Sequence, residues 1–166
     1  DLKQQRSILS RLLAHESYPG HHTEHCRKEA GLVVRDNQAE QTIFLVNTPQ
    51  CLMAEGLADL ALHAAVGPKW GAWAAEIYAD LGLRFDGERG EAVSEAVAGL
   101  ADVRQDAALM LHDEHRDADE VVEYLKRWLL VNDERARQML RFLSSPLWRA
   151  YTSTYVEGYR LLRGWL

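Results

Sequence analysis

The chain has few cysteines, few prolines, no surplus of positive charge and no long apolar run, and each shortage narrows its class. Two cysteines in 166 residues, Cys26 and Cys51, make no disulfide framework. Free, half-buried thiols are expected, with metal ligation or a mutual disulfide as the alternatives. Nowhere does an apolar stretch reach the roughly 18–20 residues of a membrane span, so no membrane partner is expected. No signal-peptide pattern is visible, and a cytoplasmic location is expected. Lysine and arginine number 19 against 25 aspartates and glutamates, a net charge of −6 that argues against a nucleic-acid footprint. Repeats and low-complexity segments are absent too.

What is present suits one α-helical domain with a real core: 47% of residues are hydrophobic and 27% charged. The chain opens at Asp1 without methionine, inside an apparent helix, and reads as part of a longer protein. Helical periodicity runs almost throughout. Residues 2–17 form a first helix with Leu2, Ile8, Leu9, Leu12 and Leu13 on its apolar side. A second spans about 21–30 and stops at Gly31. Ile43 to Val46 could be a short strand or an extended linker. Thr48 and Pro49 then supply an N-cap and a first-turn proline for a helix reaching Gly67. Further helices are expected from Pro68 to Leu81, over 91–114, from the Asp117 or Asp119 cap to Leu129, from Asn132 to Phe142, and over 147–165. The five tryptophans, at 70, 73, 128, 148 and 165, are expected to build core contacts.

Four of the seven histidines fall within His15-Glu16-Ser17-Tyr18-Pro19-Gly20-His21-His22-Thr23-Glu24-His25. Neutral imidazole is a common metal ligand and a nearby carboxylate can serve as a general base. A polar loop between two helices is the plain alternative. The strict helical motif H-E-x-x-H is absent, because Pro19 stands four residues after His15. On an unbroken helix His15 and His22 would lie about two turns, roughly 10 Å, apart. A shared ion therefore requires the Pro19-Gly20 turn to break the helix and return the next histidine. The inverted motif H-x-x-E-H also fits, pairing His21 with His25 and offering Glu24 as base. Spacing alone does not separate the two.

Glu55 and Asp59 share one face of a helix otherwise made of small and apolar residues. Buried there, two acids must be paired or metal-bound. Glu55 could be a third protein ligand and Asp59 could accept a hydrogen bond from a ligand imidazole.

His15-Glu16-Ser17-Tyr18-Pro19-Gly20-His21-His22 resembles the H-E-x-x-P-G-H-H signature of the bacterial family catalogued as domain of unknown function 885, which is grouped with gluzincin-type zinc metallopeptidases. Ala54-Glu55-Gly56-Leu57-Ala58 resembles its E-G-W-A block, with Leu57 for tryptophan; Glu24 stands where the signature usually has glutamine. Arg104, Asp106 and His112 resemble an R-x-x-x-D-x-x-x-H-like helix, and Tyr155-Val156-Glu157-Gly158 a final Y-x-x-G. The resemblance covers most of the chain as the C-terminal part of a family protein. It implies an all-α helical bundle with gluzincin-type catalytic helices. It also implies zinc held by His15, His21 and Glu55, with Glu16 as general base.

The expected activity is hydrolysis of a peptide bond by a zinc-bound water that Glu16 deprotonates. Asp59 would orient a ligand, and His112 or Tyr155 would stabilise the oxyanion. Gly158 would leave room for a peptide or small-molecule substrate, and Arg104 or Arg149 could grip its carboxylate. The alternative is a non-catalytic α-helical domain with a structural or vestigial metal site, closed by His25 or Cys51 as a fourth ligand. A third possibility is hydrolysis of an ester or a non-peptide amide.

Overall fold

The computed structural model describes the backbone of residues 2–165 and the side chains of 8–165. It is all-α, with no strand among the described residues. Helices α1 (Leu2–Glu16), α2 (His21–Lys28), α3 (Pro49–Val66), α4 (Trp70–Asp80) and α5 (Gly87–Ala98) are followed by α6 (Asp102–His112), α7 (Ala118–Leu129), α8 (Asp133–Ser144) and α9 (Thr152–Leu162).

Local chemistry sets many of the boundaries. Thr48 accepts the Cys51 N–H through its hydroxyl at 3.2 Å and Pro49 opens α3, while Gly67, at φ 79°, ends it. Asp86, Asp117 and Asn132 cap α5, α7 and α8 through their side chains. The start of α4 is capped from a distance: the Glu91 carboxylate accepts the N–H groups of Lys69 at 2.9 Å and Gly71 at 3.2 Å.

Other boundaries depart from the sequence expectation. Gly31 does not stop the second helix, which widens into a π-helical stretch, Glu29–Arg35, with the Asp36 N–H on the Gly31 carbonyl at 3.1 Å. Ile43 is extended but pairs with no strand. The helix expected over 91–114 is broken at residues 99–101, where Leu100 and Ala101 donate to carbonyls only three residues back. Residues 146–151 make successive turns, so the last helix starts at Thr152. Of the tryptophans, Trp70 is buried, whereas Trp73, Trp128 and Trp165 are exposed.

The interior has two kinds of packing. Helices α6, α7 and α8 enclose an aliphatic cluster of Val103, Ala107, Val121, Val122, Leu125, Ala136 and Leu143. By contrast α3 is buried nearly all round and meets α9 backbone to backbone. A β-carbon on Gly56 would strike the Gly158 backbone, and one on Gly158 would strike the Leu52 carbonyl oxygen. The space at Gly158 is therefore filled by α3, not kept for a substrate. Helix α1 packs on α3 through Ala14 and His15, and the expected apolar side is turned out: Ile8, Leu12 and Leu13 are exposed.

Candidate metal centre

The His15–His21 junction is a helix break. Helix α1 ends at Glu16, residues 17–20 are non-helical, and α2 starts at His21. The chain folds back so closely that the Gly20 N–H donates to the Ala14 carbonyl at 2.9 Å. A β-carbon on Gly20 would collide with the carbonyl oxygens of Ala14 and His15. Glycine is needed at position 20 for this close approach, and the turn brings the two imidazoles edge to face, with centroids 4.7 Å apart.

Helix α3 supplies the third group. The Glu55 Oε2 atom lies 3.5 Å from His15 Nε2 and 3.4 Å from His21 Nε2. One ligand atom from each of His15, His21 and Glu55 lies within 4.8 Å of the others. Glu55 is only 5% exposed, yet its Oε2 has no hydrogen-bond partner, and neither has the buried Nδ1 of His21. Leaving such atoms unpaired is costly, and a cation between them would satisfy Oε2 and both Nε2 atoms. Two imidazole nitrogens and one carboxylate oxygen are a fitting donor set for zinc, and three protein ligands leave a position open.

The outer contacts orient the group. His15 turns Nδ1 to Asp59 Oδ1 at 3.2 Å, which leaves Nε2 facing Glu55. Asp59 is held in turn by Arg11 Nη2 at 2.8 Å. The Tyr151 hydroxyl donates to Glu55 Oε1 at 2.5 Å, which leaves Oε2 as the free oxygen. The Tyr155 ring stands edge to face on Tyr151, 5.3 Å away, and reaches solvent.

Electrostatics follow this geometry. The carboxylates of Asp59 and then Glu55, both facing the ring, outweigh burial and raise the His15 pKa to about 9. Burial alone would raise Glu55, but His15, His21 and Tyr151 bring it down to about 2. Burial and the Glu55 carboxylate push the Tyr151 phenol up, so it stays a donor. Burial likewise raises Cys51.

Other residues of the cluster point elsewhere. His25 is exposed, with its ring 5.2 Å from that of Phe44, and His22 lies against Cys26, its Nε2 3.7 Å from the sulfur. Glu24 pairs with Lys28 at 3.2 Å. The structure thus groups His21 with His15 rather than with His25. Cys51 is fully buried and Cys26 exposed; both are free thiols. Glu16 is exposed at the end of α1, with no ion pair among the described residues. His112 places Nε2 2.8 Å from the Leu143 carbonyl oxygen and, among the described residues, does not belong to the His15–His21–Glu55 group. Tyr151 was missed by the sequence reasoning: its partner is 96 residues away, and no motif marks it. No family model, curated protein or solved structure matches the chain.

Proposed function

We propose that this chain is a zinc-dependent hydrolase of peptide bonds, with His15, His21 and Glu55 as the zinc ligands in a gluzincin-type arrangement of helices. The observation that carries this reading is the buried, unpartnered Glu55 Oε2 between two imidazole nitrogens. When bound, zinc supplies Lewis-acid polarisation of the amide carbonyl and makes water a nucleophile near neutral pH.

The chain's own groups carry the rest. Asp59 holds the proton of His15 on Nδ1 and so keeps the Nε2 lone pair available. Tyr151 fixes the Glu55 carboxylate through Oε1. Glu16, next to His15 and exposed, accepts a proton from the attacking water and passes it to the leaving nitrogen. Water oxygen joins the carbonyl carbon, the carbon–nitrogen bond breaks, and the products are a carboxylic acid and an amine. Tyr155, whose ring rests on Tyr151 at the solvent edge, donates to the carbonyl oxygen as charge develops there. His112 is left out of this machinery, because its Nε2 already faces the Leu143 carbonyl.

A purely structural site would be closed by a fourth protein ligand. Among the described residues neither His25 nor Cys51 joins the group, which favours the open, hydrolytic reading. Glu16→Gln separates the two roles. The variant is expected to keep its zinc and lose peptide hydrolysis, measured on a panel of peptides alongside elemental analysis. Unchanged hydrolysis, or loss of the zinc, would contradict the assignment.

A further inference from the structure

Among the described residues four buried side-chain atoms have no hydrogen-bond partner: Glu55 Oε2, His21 Nδ1, Glu24 Oε2 and Gln105 Oε1. Leaving a polar atom buried and unpaired is costly, so each of the four points to a partner. An ion held by His15, His21 and Glu55 accounts for the first. Gln105 belongs to α6 and already donates to Glu157 on α9 at 2.8 Å, far from this group in the chain. The other two, His21 Nδ1 and Glu24 Oε2, both belong to α2, and the ion leaves both of them unpaired.

These two atoms are complementary. With Nε2 given to a metal, the remaining proton of an imidazole sits on Nδ1, which is then a donor, while a carboxylate oxygen is an acceptor. His15 shows how the neighbouring ring disposes of the same proton: its Nδ1 faces Asp59 Oδ1 at 3.2 Å. Glu24 follows His21 by three residues, a spacing that sets side chains next to each other on a helix, with Cβ atoms about 5–6 Å apart. His21, Glu24 and Lys28 lie on the less exposed side of α2, whereas His22, His25, Cys26 and Arg27 are exposed. Lys28 stands 3.2 Å from Oε1 and leaves Oε2 free, as Tyr151 does for Glu55. A competitor for Oε2 is His25, whose Nδ1 lies 3.5 Å away but makes no hydrogen bond to it.

We propose that Glu24 is the positioning residue of His21: in the metal-loaded chain Oε2 accepts the Nδ1–H of His21 and holds the ring with Nε2 toward Glu55. The two atoms are not bonded in the structure, and rotation of the long Glu24 side chain closes the contact. The proposal rests on the metal reading above and adds a second outer carboxylate to it. Each imidazole then has its own: Asp59, on α3, for His15, and Glu24, on the same helix as its partner, for His21. Glu24 touches no substrate in this account and acts only through His21.

The test is zinc titration of the full chain and its variants, with NMR of the imidazole N–H protons in the zinc-loaded state. Glu24→Ala is expected to bind zinc about 10–100-fold more weakly, the scale of a lost outer contact. Glu24→Gln keeps an acceptor oxygen and should recover most of the affinity. Lys28→Ala and His25→Ala remove the other two neighbours of Glu24 and should leave the affinity nearly unchanged. In the wild type the His21 Nδ1 proton should exchange slowly with water. Its resonance should shift in Glu24→Gln, where the acceptor is neutral, and this holds the test open should Glu24→Ala fail to fold. Undiminished affinity in Glu24→Ala, an equal loss in Lys28→Ala or His25→Ala, or a His21 proton that is unprotected or unmoved by Glu24→Gln overturns the proposal and leaves the metal centre standing. Absence of zinc uptake by the wild type removes the metal reading and the proposal together.

Discussion

Helices α6–α8 and the α1–α2–α3–α9 region each half-bury histidine on a helix, and they treat it oppositely. His112 turns Nε2 to a backbone carbonyl beside a core of valine, leucine and alanine, and nothing is left wanting. His15 and His21 turn Nε2 toward a buried carboxylate oxygen with no hydrogen-bond partner. The packing differs in the same sense. Leu125 and Leu143 fill the first region, whereas glycines let α3 and α9 touch in the second. A core built for stability is closed and saturated; a core built around a site holds its backbone close and leaves polar atoms facing one another.

Substitutions in the two regions should separate stability from metal affinity. Leu125→Ala, in the aliphatic cluster, is expected to cost about 2–5 kcal/mol in denaturant unfolding and leave zinc affinity unchanged in the folded fraction. Gly56→Ala forces a β-carbon against the Gly158 backbone, with a cost at or above the upper end of roughly 1–3 kcal/mol. Because Glu55 adjoins this crossing, Gly56→Ala should also weaken zinc binding. If both variants lose stability and neither loses affinity, the two regions do not differ as described.

Asp59→Asn should reduce zinc affinity by about 10–100-fold, since Asp59 sets the orientation of His15. The same contact makes the metal-free chain pH-sensitive. The His15 pKa is raised, from 6.5 to about 9, first by Asp59 and then by Glu55. Its stabilisation is complete below pH 6.5 and is lost as pH rises toward 9. Glu55 is shifted down, from 4.5 to about 2, so its share of the same interaction is lost as pH falls through that range. Unfolding of the metal-free chain between pH 6 and 10 should show the alkaline decline, and Asp59→Asn should flatten it. A decline of equal size in the variant would separate His15 titration from stability.

The smallest expected effect is that of Tyr155→Phe: a lower kcat, with zinc content and unfolding midpoint nearly unchanged. A variant with full kcat would remove Tyr155 from the reaction. Tyr151→Phe is the sharper comparison, because it frees Glu55 Oε1 and should lower zinc affinity as well.

What the sequence makes legible follows the range of the forces involved. The Thr48 cap, the helix start at Asn132 and the stop at Gly67 are local, and the structure places them where the spacing predicts; of Asp117 and Asp119, between which the spacing does not choose, it is Asp117 that caps α7. The Pro19-Gly20 break is legible as well, because two histidines six residues apart can meet only through a turn. The π-helical passage through Gly31, the break at residues 99–101 and the late start of α9 carry no comparable local signal. The apolar stripe of α1 misleads, since small Ala14 and polar His15, not the leucines, face α3. In the site, the histidine cluster and the Glu55–Asp59 pair stand out by residue type and spacing, but the choice of His15 with His21 over His21 with His25 rests on the family resemblance and not on spacing. Tyr151 and the contact role of Gly158 depend on the α3–α9 crossing, which joins segments about a hundred residues apart.

The central claim is that His15, His21 and Glu55 together hold one zinc ion. Zinc titration of the metal-free chain, followed by calorimetry and elemental analysis, tests it against His15→Ala, His21→Ala and Glu55→Ala. One zinc per wild-type chain is expected, with each variant weakened more than the roughly 10–100-fold of an outer contact such as Asp59. No zinc uptake by the wild type, or tight uptake retained by any of the three variants, would contradict the account.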